Sequence, residues 1–532
     1  MSTPDLDLRD RVNLFSTLEA SVFDVAVIGG GITGAGIARD AAMRGLSVAL
    51  VEARDFAAGT SSRSSKLVHG GIRYLAQGDM ALVREAALER KTVRNIAPHL
   101  ARRTLFIVPA RNLAAIAKFR TGLWTYEKLG SVEADDRHEL WNAKRLASEE
   151  PALAVDELAG AIVYPEYVTD DGRLTLANVR SAAQHGAIVA NYAEVTGIDC
   201  TSGSASALTI TDRLDNETTA RVRARVIVNA AGPWADHIRR LERGDADNRL
   251  ALSKGVHLVV SRQRLPINHT VTMTAADKRG VFVVPRDAVA YLGTTDTFYP
   301  DSAYWPGITT GDVDYLLAAA NRTFKTAPLE RRDVIAVWSG IRPLIAEAGN
   351  KSPSEISRRD EVMEGPAGVI TIAGGKLTAY RRMAERIADL CVKRLGRNGP
   401  GSTTAEETLP GGAFTGAPAQ LTQRLIDSGL DALQADRLMM LYGDEAEGLA
   451  SGGIAAEARH AVTKEAALTL EDYWVRRSAR ARFDLDGGLA ALQPAAAAMA
   501  PLLGWSDAEI TRQIDACRAL RKTEMAPLGD AA

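Results

Sequence analysis

Cysteine is scarce in this 532-residue chain: Cys200, Cys391 and Cys517 stand far apart, with no CxxC pair. A disulfide framework is thereby excluded, three scattered thiols cannot by themselves build a zinc site, and a reducing compartment fits. No HxH, HExxH or carboxylate cluster at ligand spacing joins them, so no metal is expected. Net charge is also lacking, with 64 Lys+Arg against 66 Asp+Glu, and nothing in the overall field speaks for nucleic acid. The opening "MSTPDLDLRDRVNLF" has no apolar core and is not a secretory signal. One long uncharged run exists, at 487–506, but it is alanine-rich and contains Gln493 and two prolines. Alanine contributes too little transfer energy to hold such a run in lipid, so no spanning helix is expected.

One absence is local. The stretch "TSSRSSKLVHGGIRYL" (60–75) contains no acid, yet carries Arg63, Lys66, His69 and Arg73 around a Gly70-Gly71 pair. Solvated surfaces mix both signs of charge. A one-sign, backbone-flexible segment expects an anion.

What the chain does have begins with a βαβ pattern at 24–52. "DVAVIGGG" reads as a buried strand entering a glycine turn, "ITGAGIARDAAMRG" as a helix closed by Gly45, and "LSVALVE" as a second apolar strand. Such runs suit a parallel sheet covered on both faces. Alternating β-type segments follow at 187–198 and 207–228, and the runs "VHLVVS", "GVFVVP" and "AVAYLGTTD" predict an antiparallel sheet in a second domain. Gly/Pro/Thr-rich 400–412 reads as a linker, and Ala/Leu/Glu/Arg-rich helical patterns fill the rest.

The glycine turn has the spacing Gly29-x-Gly31-x-x-Gly34. The first glycine allows the tight turn, the second lets the backbone approach a pyrophosphate, and the third lets the helix pack on the strand. The anion then sits at a helix N-terminus, and Glu52, ending the second strand, is placed to accept from ribose hydroxyls. FAD and NAD both satisfy this motif. Two more small-residue turns, "NAAGPW" (229–234, with Gly232) and "AGGKLT" (373–378), favour FAD. The second brings Gly375, Lys376, Leu377 and Thr378, and could set a helix N-terminus and a cation beside the electron-rich edge of a reduced flavin.

Taken in order, "IGGGITGAGIARDAAMRG", "TSSRSSKLVHGGIRYL", "NAAGPW", "GTTD" (293–296), "SGIRPL" (339–344) and "GGKLTAYRRMA" (374–384) closely resemble the FAD-dependent, respiratory glycerol-3-phosphate dehydrogenases, from about residue 20 to the C-terminal region. The resemblance implies an α/β fold, α+β overall. It has a Rossmann-type FAD domain and an antiparallel-sheet substrate domain of the D-amino-acid-oxidase/glutathione-reductase kind, followed by a C-terminal helical domain. The expected division is an extension at 1–22 and an FAD domain within 23–390 (about 23–100, 165–255 and 350–390). The FAD domain is interleaved with a substrate domain (about 101–164 and 256–349), and helices occupy 391–532.

It further implies FAD as cofactor, held by the glycine turns with Thr60, Ser61, Ser62, Lys66 and His69, and sn-glycerol 3-phosphate as substrate. Arg73, Tyr74 and Arg358, chosen over its neighbour Arg359, would bind that substrate, and His257 and Arg342 would be catalytic. The chemistry agrees, since a phosphate dianion suits forked guanidinium donors. Removing a hydroxyl proton as hydride leaves carbon suits a base titrating near neutrality, for which histidine leads and His257 stands ahead of His69. "GTTD" reads equally well as a plain turn and supplies no catalytic residue. The implied acceptor is a membrane quinone, with a cytoplasmic homodimer peripheral to the membrane. The alternatives are an oxidase using O₂ or a non-catalytic flavoprotein module. Aromatics at 5% do not favour the aromatic cage of an amine or amino-acid oxidase.

Overall fold

A computed structural model describes residues 6–70, 80–129, 136–201, 203–346, 356 and 359–529. Its first sheet is built on strand Val22–Ile28, which pairs in parallel with Val48–Val51 on one side and Thr219–Asn229 on the other. Ile188–Ala190 extends the sheet beyond the former and Ile370–Gly374 beyond the latter. Alternate residues of the central strand feed two cores: Val25 and Val27 pack under helix Ile32–Met43, while Ala26 and Ile28 face Leu208 and Ile227. Burial on both faces explains why this segment reads as an unbroken apolar run. Residues 11–20, expected as mere extension, form a helix whose Phe15 and Leu18 are buried in the second of these cores.

The second sheet is mostly antiparallel, with ten strands. Its longest pair is Leu250–Ser261 against Val334–Ile345, in register from Leu250↔Ile345 through His257↔Trp338. Segment 67–68 also joins this sheet, pairing with strand Gly160–Val168, so the chain crosses from the nucleotide sheet to the substrate sheet within the cationic stretch.

The uncharged run at 487–506 becomes helix Leu489–Leu503, with Ala495, Ala496 and Met499 fully buried in a helical core. Among the described residues no helix is long and apolar enough to cross a membrane. The 400–412 segment is packed down, because buried Arg39 donates to the carbonyls of Thr404 and Glu407.

Buried ion pairs bolt the C-terminal helices to the nucleotide domain. Asp55, three residues beyond Glu52, accepts from Arg477 through both oxygens at 2.7 Å and also from Arg476. Burial pushes the Asp55 carboxyl up, but Arg477 and Arg476 overcome this and hold it below its ordinary value. A depressed carboxylate stabilises the fold at neutral pH and loses that contribution only as the pH falls below about 4. Asp55→Ala leaves the buried Arg477 guanidinium without its carboxylate, while Arg476 keeps Glu471 and Asp472, and is expected to cost about 3 kcal/mol in urea unfolding at pH 7. An unchanged midpoint would show that the pair holds nothing together.

Candidate active site

The three glycine positions answer to different constraints. Gly29 has φ +108°, and a Cβ there would lie 2.6 Å from the Ala230 carbonyl oxygen, so the first turn nests against "NAAGPW". A Cβ on Gly34 would sit 1.9 Å from the Gly29 carbonyl oxygen. Gly31 has the ordinary extended backbone φ −76°, ψ 179°, and its Cβ would meet only Ser61 Oγ, at 3.1 Å. Ser61 Oγ accepts the amide of Ile32 at 2.9 Å, which fixes the Thr60–Ser62 turn over the helix N-terminus.

Glu52 accepts the amides of Gly30 (2.7 Å) and Arg54 (2.9 Å). Burial pushes its carboxyl up and the two amides partly restore it. The buried Ser62 hydroxyl has no hydrogen-bond partner among the described residues. A helix N-terminus behind a glycine turn, an acid at the second strand's end and an orphan hydroxyl fit a dinucleotide such as FAD. Gly29, Gly31, Gly34, Glu52, Thr60, Ser61 and Ser62 would hold it, with Gly232 open on its outer side (nothing within 4 Å of an added Cβ).

From this turn the chain runs across one face of the second sheet. Antiparallel partners share a face and alternate residues repeat it, so Ser253, Gly255 and His257 lie on the same side as Arg342, Gly340 and Trp338. Three contacts place the 60–65 segment there. Thr60 Oγ1 donates to the Ile341 carbonyl at 2.6 Å, the Arg63 carbonyl lies 2.7 Å from where a Gly340 Cβ would be, and Ser65 Oγ bonds His257 Nε2 at 2.9 Å. His257 and Arg342 therefore face the nucleotide turn together.

The two differ in setting. His257 is buried, and its ring stacks on Trp338 with centroids 4.6 Å apart and planes 11° from parallel. Burial drives its basicity well below the ordinary value, and the charges of Arg342 and Lys66 add to this. The imidazole is consequently neutral at physiological pH, able to accept a proton, and its Nδ1 is buried with no partner among the described residues. Arg342 is about a quarter exposed. Its Nη1 donates to Asp296 at 3.1 Å and its Nη2 to Thr294 Oγ1 at 3.0 Å, while Ser253 Oγ donates to the same Asp296 carboxylate. Asp296, Thr294 and Ser253 thus aim the guanidinium. Nothing in "GTTD" itself separates a plain turn from a part of the site; the contacts of Thr294 and Asp296 with Arg342 do.

Room for that guanidinium comes from Gly255, where a Cβ would fall 2.3 Å from Arg342 Nη2 and 2.5 Å from Thr294 Oγ1. Because a side-chain tip can swing away, Gly255→Ala is expected to fold and keep its flavin. It should still lose roughly tenfold or more in kcat/KM by displacing the arginine. Wild-type kinetics with normal flavin content would separate Gly255 from the site.

The cationic stretch does not offer all its charges to one ligand. Arg63 is buried between Tyr304 and Trp305, 4.6 and 3.7 Å from their ring centroids, and burial pushes it down to about 10. Lys66 Nζ pairs inside with Asp171 and the Ser62 carbonyl, anchoring the segment to helix Asp171–Gln184. His69 is tied to the third turn: Thr378 Oγ1 accepts its amide at 3.2 Å and donates to its carbonyl at 3.1 Å. In that turn Gly375 has φ +83°, Lys376 and Leu377 are half-buried and Thr378 is buried. Arg73, Tyr74 and Arg358 lie outside the described residues, and Arg359 is exposed at the edge of strand Asp360–Glu364.

A family model described as "FAD dependent oxidoreductase" matches residues 24–381, and one described as "C-terminal domain of alpha-glycerophosphate oxidase" matches residues 402–510. The chain is 37% identical over 526 residues to the aerobic glycerol-3-phosphate dehydrogenase of Staphylococcus epidermidis, 94% of each being covered. It is 38% identical over 504 residues to that of Bacillus subtilis, covering 90% of each. The crystal structure of the glycerol-3-phosphate dehydrogenase from Bacillus halodurans complexed with FAD superimposes with a TM-score of 0.82 at 34% identity, over 98% of this chain and 99% of that one.

Proposed function

The chain belongs to the FAD-dependent glycerol-3-phosphate dehydrogenase family, and from that premise we propose that it oxidises sn-glycerol 3-phosphate to dihydroxyacetone phosphate and delivers the electrons to a membrane quinone. The observation that carries this reading is the shared sheet face: a neutral histidine and a clamped guanidinium stand together under the segment that caps the dinucleotide turn. FAD, when bound, supplies the two-electron acceptor for the hydride from the carbinol carbon.

The protein's own groups do the rest. Arg342 presents a fixed cation to the oxygens of the substrate, with Arg73 and Arg358 proposed to complete the phosphate site. His257 accepts the hydroxyl proton at a ring nitrogen. Its basicity is lowered chiefly by burial, and the charges of Arg342 and Lys66 lower it further. A bound dianion cancels much of that field, so substrate entry itself makes the imidazole a better base. Trp338, stacked on the ring, keeps it in plane and excludes water on that side.

The acceptor separates two readings. The match of residues 402–510 to a domain described for an oxidase supports O₂ as the second. Stopped-flow reoxidation of the substrate-reduced protein decides: fast reaction with a short-chain quinone and slow reaction with air is expected. Rapid turnover with air alone would replace the quinone. A homodimer peripheral to the membrane accompanies the quinone reading, since a lipid-soluble acceptor has to be met at the bilayer.

A further inference from the structure

Two consecutive helices, Met80–Ile96 and Leu113–Leu129, pack on each other through Val83, Ala87, Leu123 and Tyr126. Their outward sides are unlike an ordinary solvated surface. On the second helix, Leu113, Ala117, Arg120, Trp124 and Lys128 follow one another at spacings of four, three, four and four, and so line a single stripe. All five are exposed, Leu113 by 74% and Trp124 by 54%. The first helix adds exposed Met80, Arg84 and Leu88.

Every acid of the two helices points elsewhere. Glu85 pairs with Arg386, Glu89 with Arg381, and Glu127 accepts from His138. Among the described residues of the two helices, the outward side therefore carries large apolar groups and bases without an acid. The Lys128 ammonium rides 4.0 Å from the centroid of the Trp124 ring, the arrangement of a cation lifted beside an interfacial indole.

We propose that this two-helix face is the surface by which the protein lies on an anionic bilayer. It deepens the quinone reading above and rests on it. Charge selects the occupant: bases and apolar groups without acids complement lipid phosphates and acyl chains, whereas a second copy of the same face would oppose like with like. The inner side of the second helix leads back to the site. Tyr126 is buried, and its Oη lies 1.8 Å from where a Gly70 Cβ would be, beside His69 and the Thr378 turn. A bilayer under this helix pair is thus one side chain away from the segment that joins the two sheets.

Sedimentation with vesicles of phosphatidylcholine, with and without phosphatidylglycerol, tests the proposal on the flavin-loaded protein. Wild type is expected to partition onto the anionic vesicles roughly tenfold more than onto neutral ones, less so at high salt. Leu113→Glu/Trp124→Glu is expected to lose roughly tenfold or more of that binding, at unchanged rate with a soluble dye acceptor and unchanged oligomeric mass. Arg120→Glu/Lys128→Glu, which keeps the apolar groups, is expected to lose the preference for anionic lipid. If wild type binds and both variants bind equally well, the face is wrong while the membrane reading stands. If wild type binds neither vesicle, the membrane reading falls with it. A drop in oligomeric mass in either variant would give the face to a second copy and overturn the proposal.

Discussion

Arg342→Ala is expected to lower kcat/KM for sn-glycerol 3-phosphate by roughly 10²-fold or more, on the order of 3 kcal/mol, at unchanged flavin content. Two losses combine. The forked donor to a dianionic substrate disappears, and the Asp296 carboxylate that it neutralised is left facing the same cleft. That carboxylate then repels the phosphoester. The effect should therefore exceed that of an arginine standing alone, and Asp296→Asn in the Arg342→Ala background should recover part of it. Arg342→Lys should recover little, because one ammonium cannot reach Asp296 and Thr294 in the forked geometry that the guanidinium uses. Steady-state kinetics with a soluble acceptor checks this. Near-normal values for Arg342→Ala would remove the residue from the site.

Gly34→Val is expected to yield protein without flavin, and with reduced thermal stability. Its Cβ would stand 1.9 Å from the Gly29 carbonyl oxygen, a backbone atom that cannot move without opening the turn. Gly31→Val separates the two effects. Its backbone suits any residue and an added Cβ meets only the Ser61 side chain, so the expected cost is a small shift of the Ser61–Ile32 hydrogen bond and the fold should tolerate the change. What excludes a side chain there is the approach of the pyrophosphate, so this variant should fold with a near-native melting point and purify colourless. The flavin-to-protein absorbance ratio and the thermal midpoint read both variants. A yellow Gly31→Val protein would contradict the role assigned to that position.

The nucleotide half of the molecule was legible because its signals are local. Spacing alone places Gly29 and Gly31 in the turn from a strand into a helix, Gly34 in that helix's first turn, and Glu52 at the end of the next strand. The face that carries His257 and Arg342 is a different case, being made by pairing residues almost 90 positions apart, as 253 with 342. Period-2 alternation tells which residues share a side of one strand, but register between distant strands is not written in either. Asp296 and Gly255 were missed for that reason. The cationic stretch was misleading in a physical way: absence of acids within 60–75 says nothing of acids arriving from elsewhere, and Asp171 meets Lys66 from across the fold. Arg63 shows that aromatic faces and a backbone carbonyl can house a guanidinium with no carboxylate partner among the described residues.

The proposed reaction needs a reducible flavin facing Arg342 and His257 across a cleft that accepts a three-carbon phosphoester. An absorbance spectrum of the purified protein, taken anaerobically before and after sn-glycerol 3-phosphate, tests this most directly. The prediction is an oxidised flavin band that bleaches in wild type, persists with glycerol, and bleaches far more slowly in Arg342→Ala. A flavin band that ignores the phosphoester, or that fades equally fast in the variant, would contradict it.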